Sequence, residues 1–344
     1  MADSVGSRNQ SPSSGSAGGG PQADGRGAVG VVIVSWNVSG LLRRCLASLV
    51  GQWPDMPIVV VDNASNDDTV PMVRAEFPSI QLLANEANLG FTRASNQGLR
   101  VFGIDEGKSG GPGAVLLLNP DAEVLPGAVA ALHAAMWESD RVGAVGPLLR
   151  YPDGSAQSSR RRYPTVLTGI LESTPLAWCW PNNSIARRYR LADVPADRPA
   201  AVDWLTGAAL LVRARALADV GLFDESFFMY SEELDLCRRL GRAGWRVLYE
   251  PAAQVVHHEA RSSDQVGGAR HFLFHRSRVH YFRKHHGRLA AGVVLSSTLA
   301  QFAVALLVEG AKWSLGHKRP MRRDRVSSYW ALLRGLLRPG VAGG

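Results

Sequence analysis

The stretch Val29 to Ser65, VGVVIVSWNVSGLLRRCLASLVGQWPDMPIVVVDNAS, decides the fold. It begins with a short apolar, β-branched run and closes on a second one, IVVV, that ends at Asp62. Runs of this length and type read as strands. Between them Leu41, Leu42, Cys45, Leu46, Leu49 and Val50 recur at the spacing of one helix face. Strand, helix and strand in that order form a βαβ unit, the building block of an α/β layer fold with a mainly parallel sheet.

Outward from this unit the alternation continues. A helix is expected around Val70 to Phe77, a strand at Ile80 to Ala84, a helix around Arg93 to Phe102, and a strand at Ala114 to Leu118 that ends at Asn119. Tyr151 to Pro199 is rich in Arg, Pro and Trp without clear periodicity and reads as a long loop with one short helix. Order resumes with Val202 to Val212, a helix near Glu233 to Ala243, a strand Trp245 to Tyr249, and an apolar approach Ala252 to Val256 into His257 and His258. Polar residues collect where strands end: Asn37, Asp62, Asn63, Asn119 and Asp121. In open α/β sheets ligands sit outside those carboxyl ends, facing helix N-termini and loop amides.

The chain has 344 residues, 46% of them hydrophobic and 20% charged, which excludes wholesale disorder. Cys45, Cys179 and Cys237 form no CxxC pair, so a disulfide framework and a zinc ribbon are excluded and a reducing compartment is expected. Residues 1–28 are mostly Gly, Ser, Ala and polar groups and read as a disordered tail without the apolar core of an export signal.

Several blocks invite a common reading: Val61-Asp62-Asn63-Ala64-Ser65, Asn88-Leu89-Gly90-Phe91 followed by Asn96, Leu118-Asn119-Pro120-Asp121, and Phe228-Met229-Tyr230-Ser231-Glu232-Glu233-Leu234-Asp235. Each has a plain structural alternative. Asn63, Ser65, Asn66 and Asp67 suit a turn, Asn-Pro-Asp is a common turn tripeptide, and acids at a helix start favour the macrodipole. At the end of a buried strand, however, a carboxylate can accept hydrogen bonds from a base imide or ribose hydroxyl, or hold a hard cation against substrate phosphates.

With this order and these contexts, residues 29–286 resemble the family 2 inverting glycosyltransferases of GT-A fold, closest to the bacterial rhamnosyltransferase-like branch. The resemblance implies a nucleotide-sugar donor, dTDP-rhamnose first and a UDP-sugar next, and a lipid-linked or glycan acceptor in cell-wall or surface polysaccharide synthesis. It implies Mg²⁺ or Mn²⁺ held by Asp121 and by His257. Donor-binding positions are Asn37, Asp62, Asn88, Gly90, Asn96 and Asn119, together with Trp204, Gly207 and Ala208 lining the sugar and acceptor cleft. Asn119 stands where the family's metal motif has its first Asp. The family's Glu-Asp pair appears here as Glu232-Glu233, which aligns Glu233 with the general base and leaves Glu232 and Asp235 as competitors.

Those departures keep an inactive GT-A-like scaffold as the alternative. A second alternative comes from the formal charge of +8, Arg160-Arg161-Arg162 and the basic, aromatic run Arg270 to Arg288, which could contact nucleic-acid phosphates. No helix-turn-helix, zinc or RRM signature accompanies them, and the same mixture suits an anionic lipid surface, so no nucleic-acid partner is expected. Residues 287–344 read as a basic and apolar helical extension. Its run Leu289 to Val308, LAAGVVLSSTLAQFAVALLV, is long enough to span a bilayer but is interrupted by Ser296, Ser297, Thr298 and Gln301. With basic residues on both flanks, a cytoplasmic enzyme lying peripherally on the inner face of the membrane is expected.

Overall fold

The structure, a computed structural model, describes residues 27–105, 111–172, 174–258, 268–316 and 318–338. The expected N-terminal tail lies, save for Gly27 and Ala28, outside the described residues.

The chain begins β1 (Val29–Ser35), α1 (Ser39–Val50), β2 (Ile58–Asp62), α2 (Thr69–Glu76), β3 (Gln81–Ala84), α3 (Phe91–Val101) and β4 (Ala114–Leu118). It continues β5 (Ala122–Val124), α4 (Ala128–Met136), β6 (Val142–Arg150), β7 (Ala156–Gln157) and β8 (Arg160–Arg161). Three short helices follow, α5 (Val166–Leu171), α6 (Pro175–Cys179) and α7 (Ser184–Tyr189), then β9 (Ala200–Val202), β10 (Trp204–Leu205), β11 (Ala209–Arg213) and α8 (Ala214–Val220). The last elements are α9 (Glu232–Arg242), β12 (Arg246–His257), α10 (Gly268–Ser314) and a closing helix, α11 (Arg319–Leu336).

The main sheet runs β3-β2-β1-β4-β11-β6-β12-β5. Its first four strands are parallel, as the βαβ pattern requires. It is mixed beyond them, because β11 lies antiparallel to both β4 and β6. β1 is buried along its whole length, with Val31 and Ile33 packing on the α1, α2 and α4 side and Val32 on the α3, α8 and α9 side. A strand covered on both faces reads as a continuous apolar run, which is why its sequence shows no alternation.

Three expectations are corrected. Trp245 to Tyr249 and Ala252 to Val256 belong to one strand, β12, interrupted by a register shift between Glu250 and Gln254. The segment expected as loop with one helix contains α5, α6 and α7 as well as β7 and β8. β6 and α4 were not anticipated, because Gly and Pro in VGAVGPLLR and the uniformly apolar AVAALHAAM blur both periods.

At the C-terminus, Gly287 (φ 87°) breaks α10 into helical halves, 268–286 and 288–314. The second half packs with α11 as a hairpin around Phe302, Leu332, Leu333 and Leu336. It is long and apolar enough, by length and composition, to cross a membrane.

Candidate active site

The strand pairing of β5 with β12 sets His257 opposite Ala122, and the His258 N–H donates to the Asp121 carbonyl at 2.9 Å. Asp121 and His257 are thereby brought together, Nε2 to Oδ1, at 3.3 Å, both buried. On its other side His257 Nδ1 meets Gln157 Oε1 at 2.9 Å. A carboxamide oxygen only accepts, so Nδ1 carries a proton, and a neutral ring then presents its Nε2 lone pair to the carboxylate. Two acceptors converging in a buried corner fit a bound cation, and a divalent ion with oxygen and imidazole ligands is matched by this donor set. Among the described residues no group of three or more His, Cys, Asp and Glu side chains converges, so the pair would hold an ion jointly with substrate oxygens. His258 turns elsewhere, to Glu123 Oε1 at 2.6 Å. Asn119 Nδ2 reaches His257 Nε2 only at 3.5 Å, while its backbone N–H donates to the Ala208 carbonyl at 2.9 Å.

A second corner lies where β1 and β2 end side by side, with Ser35 in register with Asp62. Asp62 Oδ2 accepts the Ser65 N–H at 3.0 Å. Asp62 Oδ1 and Ser35 Oγ are buried without a partner. An orphaned acceptor and hydroxyl at a strand end call for a ligand, since buried polar atoms are almost always paired. Asn37, in the left-handed region (φ 53°), donates its N–H to Ser65 Oγ at 2.8 Å and accepts the Asn66 N–H at 2.7 Å, which locks the two loops together.

Asn63 joins that corner to the next block. Its Nδ2 donates to Asn88 Oδ1 and to the Gly90 carbonyl, and its Oδ1 accepts the Leu89 N–H. Gly90 (φ 85°) caps α3, and a Cβ there would lie 2.6 Å from the Phe228 carbonyl oxygen. The chain before α9 therefore presses directly on the Asn-Leu-Gly-Phe block; Phe91 N–H donates to that carbonyl at 2.8 Å. Asn96, expected at the donor, is instead buried, with Oδ1 accepting the Phe223 N–H and Nδ2 donating to the Phe223 carbonyl. It braces this loop from beneath. Trp204 gives its indole N–H to the Arg162 carbonyl at 2.9 Å and stands 6.3 Å from the Tyr189 ring, forming an aromatic wall.

The acidic block opens α9 after two non-glycine residues in the left-handed region, Tyr230 (φ 69°) and Ser231 (φ 65°). Each such residue costs about 1–3 kcal/mol and persists only where surrounding structure imposes it. The three acids then diverge. Glu232 is buried, and burial, reinforced by the charge of Glu233, holds its carboxyl well above the ordinary range. Glu233 is half-buried beneath Gly207, whose absent Cβ would meet its side chain at 3.4 Å. Burial raises its pKa too, against the opposing pull of the Gly207 backbone N–H. Burial thus pushes both neighbouring carboxyls above the ordinary range, and of the two it is Glu233 that faces Gly207. For Asp235, burial is outweighed by His285 (2.7 Å), Lys284 (2.6 Å) and Arg239 (2.8 Å), which hold its carboxyl below the usual range. Asp235 thus bolts α9 onto the end of helix 268–286 rather than serving as a free acid.

Ser35 and Gln157 were missed by sequence reasoning, and Phe228 stood in the acidic block without a role of its own. Ser35 carried the one available signal, as the last residue of a buried strand.

A mixed sheet that gathers the Asp121–His257 pair and the unpaired Asp62 and Ser35 atoms at its strand ends, with Glu233 at the start of α9, has the layout of the GT-A fold. The chain belongs to glycosyltransferase family 2: the family described as "Glycosyltransferase like family 2" matches residues 26–270. It is 38% identical over 257 residues, covering 73% of this chain and 82% of the relative, to the N-acetylglucosaminyl-diphospho-decaprenol L-rhamnosyltransferase of Mycobacterium tuberculosis. A shorter match, 45% over 64 residues, covers 18% of this chain and 24% of the rhamnosyltransferase WbbL of Escherichia coli. In fold it resembles the mannosyltransferase PcManGT of Pyrobaculum calidifontis, solved with GDP-Man and Mn²⁺, at TM-score 0.51 and 17% identity over 91% of this chain and 86% of that one.

Proposed function

We propose that this glycosyltransferase moves rhamnose from dTDP-rhamnose to a sugar carried on a polyprenyl diphosphate, with inversion at the anomeric carbon. The observation that carries the chemistry is the position of Glu233. It lies against Gly207, whose neighbour Ala208 accepts the Asn119 N–H beside the Asp121 and His257 corner. One loop thus links a basic carboxylate to the place where a donor diphosphate would be held. The choice of sugar and acceptor follows the named activity of the Mycobacterium relative.

In this reading the unpaired Asp62 Oδ1 accepts from the donor base, and Ser35 and the Asn37 loop frame the nucleoside. Asp121 and His257 would hold Mg²⁺ or Mn²⁺, which when bound neutralises charge on the leaving diphosphate. Glu233 accepts the proton of the acceptor hydroxyl. The hydroxyl oxygen bonds to the anomeric carbon from the face opposite the leaving group, and the nucleoside diphosphate departs with the electron pair of the broken bond. Burial of Glu232 beside Glu233 disfavours a second negative charge next to the base.

The acceptor reading also assigns the C-terminal hairpin to the membrane. Helix 288–314 carries exposed apolar side chains while α11 supplies Arg319, Arg322, Arg323 and Arg325, a pairing suited to peripheral contact with the anionic inner leaflet. The catalytic domain would then comprise residues 29–286 and the docking extension residues 287–344. A panel of nucleotide sugars, each with an N-acetylglucosaminyl-diphosphopolyprenol acceptor, tests the assignment. dTDP release confined to dTDP-rhamnose supports it, and release from UDP-sugars alone overturns the choice of donor.

A further inference from the structure

Resting on the membrane association proposed above, the structure points to a part of the docking surface that lies far from the hairpin in sequence. The short helices α5 and α6 expose Leu167, Leu176 and Trp178, and Trp180 follows at the C-terminal cap of α6, the two tryptophans exposed to 57% and 60%. These residues sit against the hairpin. The Leu176 N–H donates to Gln301 Oε1 at 3.0 Å, and Gln301 Nε2 donates to the Ile170 carbonyl at 3.0 Å. The Trp178 ring meets the buried Phe302 edge-on at 6.3 Å.

Helical spacing puts Val304 and Val308 on the same face as Gln301, and both are exposed. The tryptophans and that valine stripe therefore border one another. Around them the hairpin carries Lys312, Lys318, Arg319, Arg322, Arg323 and Arg325 against the acids Glu309 and Asp324, and Glu309 is already paired with Arg322. An apolar patch holding two tryptophans on a hairpin in which cations outnumber acids is complementary to an anionic bilayer, where indole rings settle at the headgroup boundary.

We propose that the turn bearing Trp178 and Trp180 is the second half of the bilayer-contacting surface, seated in the lipid beside helix 288–314. The same segment runs on through α7 to Tyr189, which stands 6.3 Å from Trp204 at the cleft wall. Lipid contact would thus be made by the same 151–199 segment whose Tyr189 stands against Trp204, the residue expected to line the acceptor cleft.

The test uses the full chain with vesicles of phosphatidylcholine and phosphatidylglycerol. Trp178→Ser/Trp180→Ser is expected to weaken partitioning by roughly tenfold or more, because two half-exposed indoles lose their lipid burial. Trp178→Phe/Trp180→Phe is expected to restore most of the binding and to remove a fraction of the fluorescence quenched by brominated lipid. Unchanged partitioning of the Ser variant, or equal quenching in wild type and Phe variant, overturns the proposal. So does a wild-type dimer that the Ser variant turns into a monomer without any lipid dependence, which would make the patch a contact between copies. If the wild type ignores vesicles altogether, the membrane reading itself fails; if it binds and only the tryptophans prove idle, the hairpin reading stands alone.

Discussion

His257 Nε2 stands 3.3 Å from Asp121 Oδ1, and the opposite ring nitrogen is fixed by Gln157 Oε1 at 2.9 Å. The carboxamide sets the tautomer, so the lone pair that meets the carboxylate is held in place from behind. Such outer partners tune metal affinity substantially. Asp121→Ala is expected to abolish transfer and its dependence on Mg²⁺ or Mn²⁺. Gln157→Leu should weaken Mn²⁺ binding in the presence of nucleoside diphosphate by about 10–100-fold, read by titration. Full activity in chelator, or unaltered Mn²⁺ affinity in both variants, would remove the cation from the account.

Glu233→Gln retains the shape of the side chain but cannot take the proton. Turnover should fall by ~10²–10⁴ while donor affinity persists. Glu232→Gln should be far milder, because it is Glu233 that lies against Gly207. The reverse ranking would place the base one residue earlier.

Because burial raises the Glu233 pKa, its active, ionised form is reached only above the ordinary glutamate value of about 4.3. The acid limb of kcat/KM should therefore lie above that value. The sign for stability is opposite: a raised folded-state pKa gives stability that is present below the unfolded value and lost as pH rises through the folded one. Glu233→Gln should accordingly raise Tm near neutral pH while it lowers activity, an exchange common at active sites. A Tm that falls instead would show that the carboxylate is not under strain.

Asp235 is held below the usual carboxylate range by His285, Lys284 and Arg239 despite its burial. A depressed folded-state pKa gives stability present above the unfolded value of about 3.9 and lost as pH falls through the folded one. Asp235→Asn removes the carboxylate that Lys284 and Arg239 share, although Lys284 keeps Asp224 and Arg239 keeps the Val220, Gly221 and Leu222 carbonyls, and should cost ~1.5–3 kcal/mol in denaturant unfolding at pH 7. The acid side of its stability profile should flatten. A neutral substitution would mean that the bolt between α9 and helix 268–286 carries no energy.

Gly90 adopts φ 85° and ψ 165°, a region open essentially to glycine, with the Phe228 carbonyl oxygen 2.6 Å from where a Cβ would stand. Gly90→Ala should destabilise by about 1–3 kcal/mol from backbone strain alone and weaken donor binding by displacing Asn88. Calorimetry of nucleotide binding, run beside a melt, separates the two effects.

Much of this arrangement was legible in the chain. Buried parallel strands advertise themselves as unbroken apolar runs, so β1, β2 and β4 and the polar residues at their ends could be placed directly. The pairing of Asp121 with His257 could be expected only from family resemblance, since it depends on β5 and β12 meeting antiparallel across a long separation. Asn96 illustrates the limit: an Asn in the right block is as suited to bonding a loop backbone as a ligand, and here it bonds Phe223. Likewise nothing in Glu232-Glu233-Leu234-Asp235 says which acid meets Lys284 and His285, because those partners come from a helix fifty residues on.

The central claim is inverting transfer of rhamnose with Glu233 as the base, and the product's anomeric configuration tests it most directly. The wild-type chain, incubated with dTDP-rhamnose, Mg²⁺ and N-acetylglucosaminyl-diphosphopolyprenol, should yield a rhamnosylated lipid whose anomeric configuration by NMR is opposite to that of the donor, with Glu233→Gln yielding almost none. A product that retains the donor configuration, or equal yield from Glu233→Gln, would contradict it.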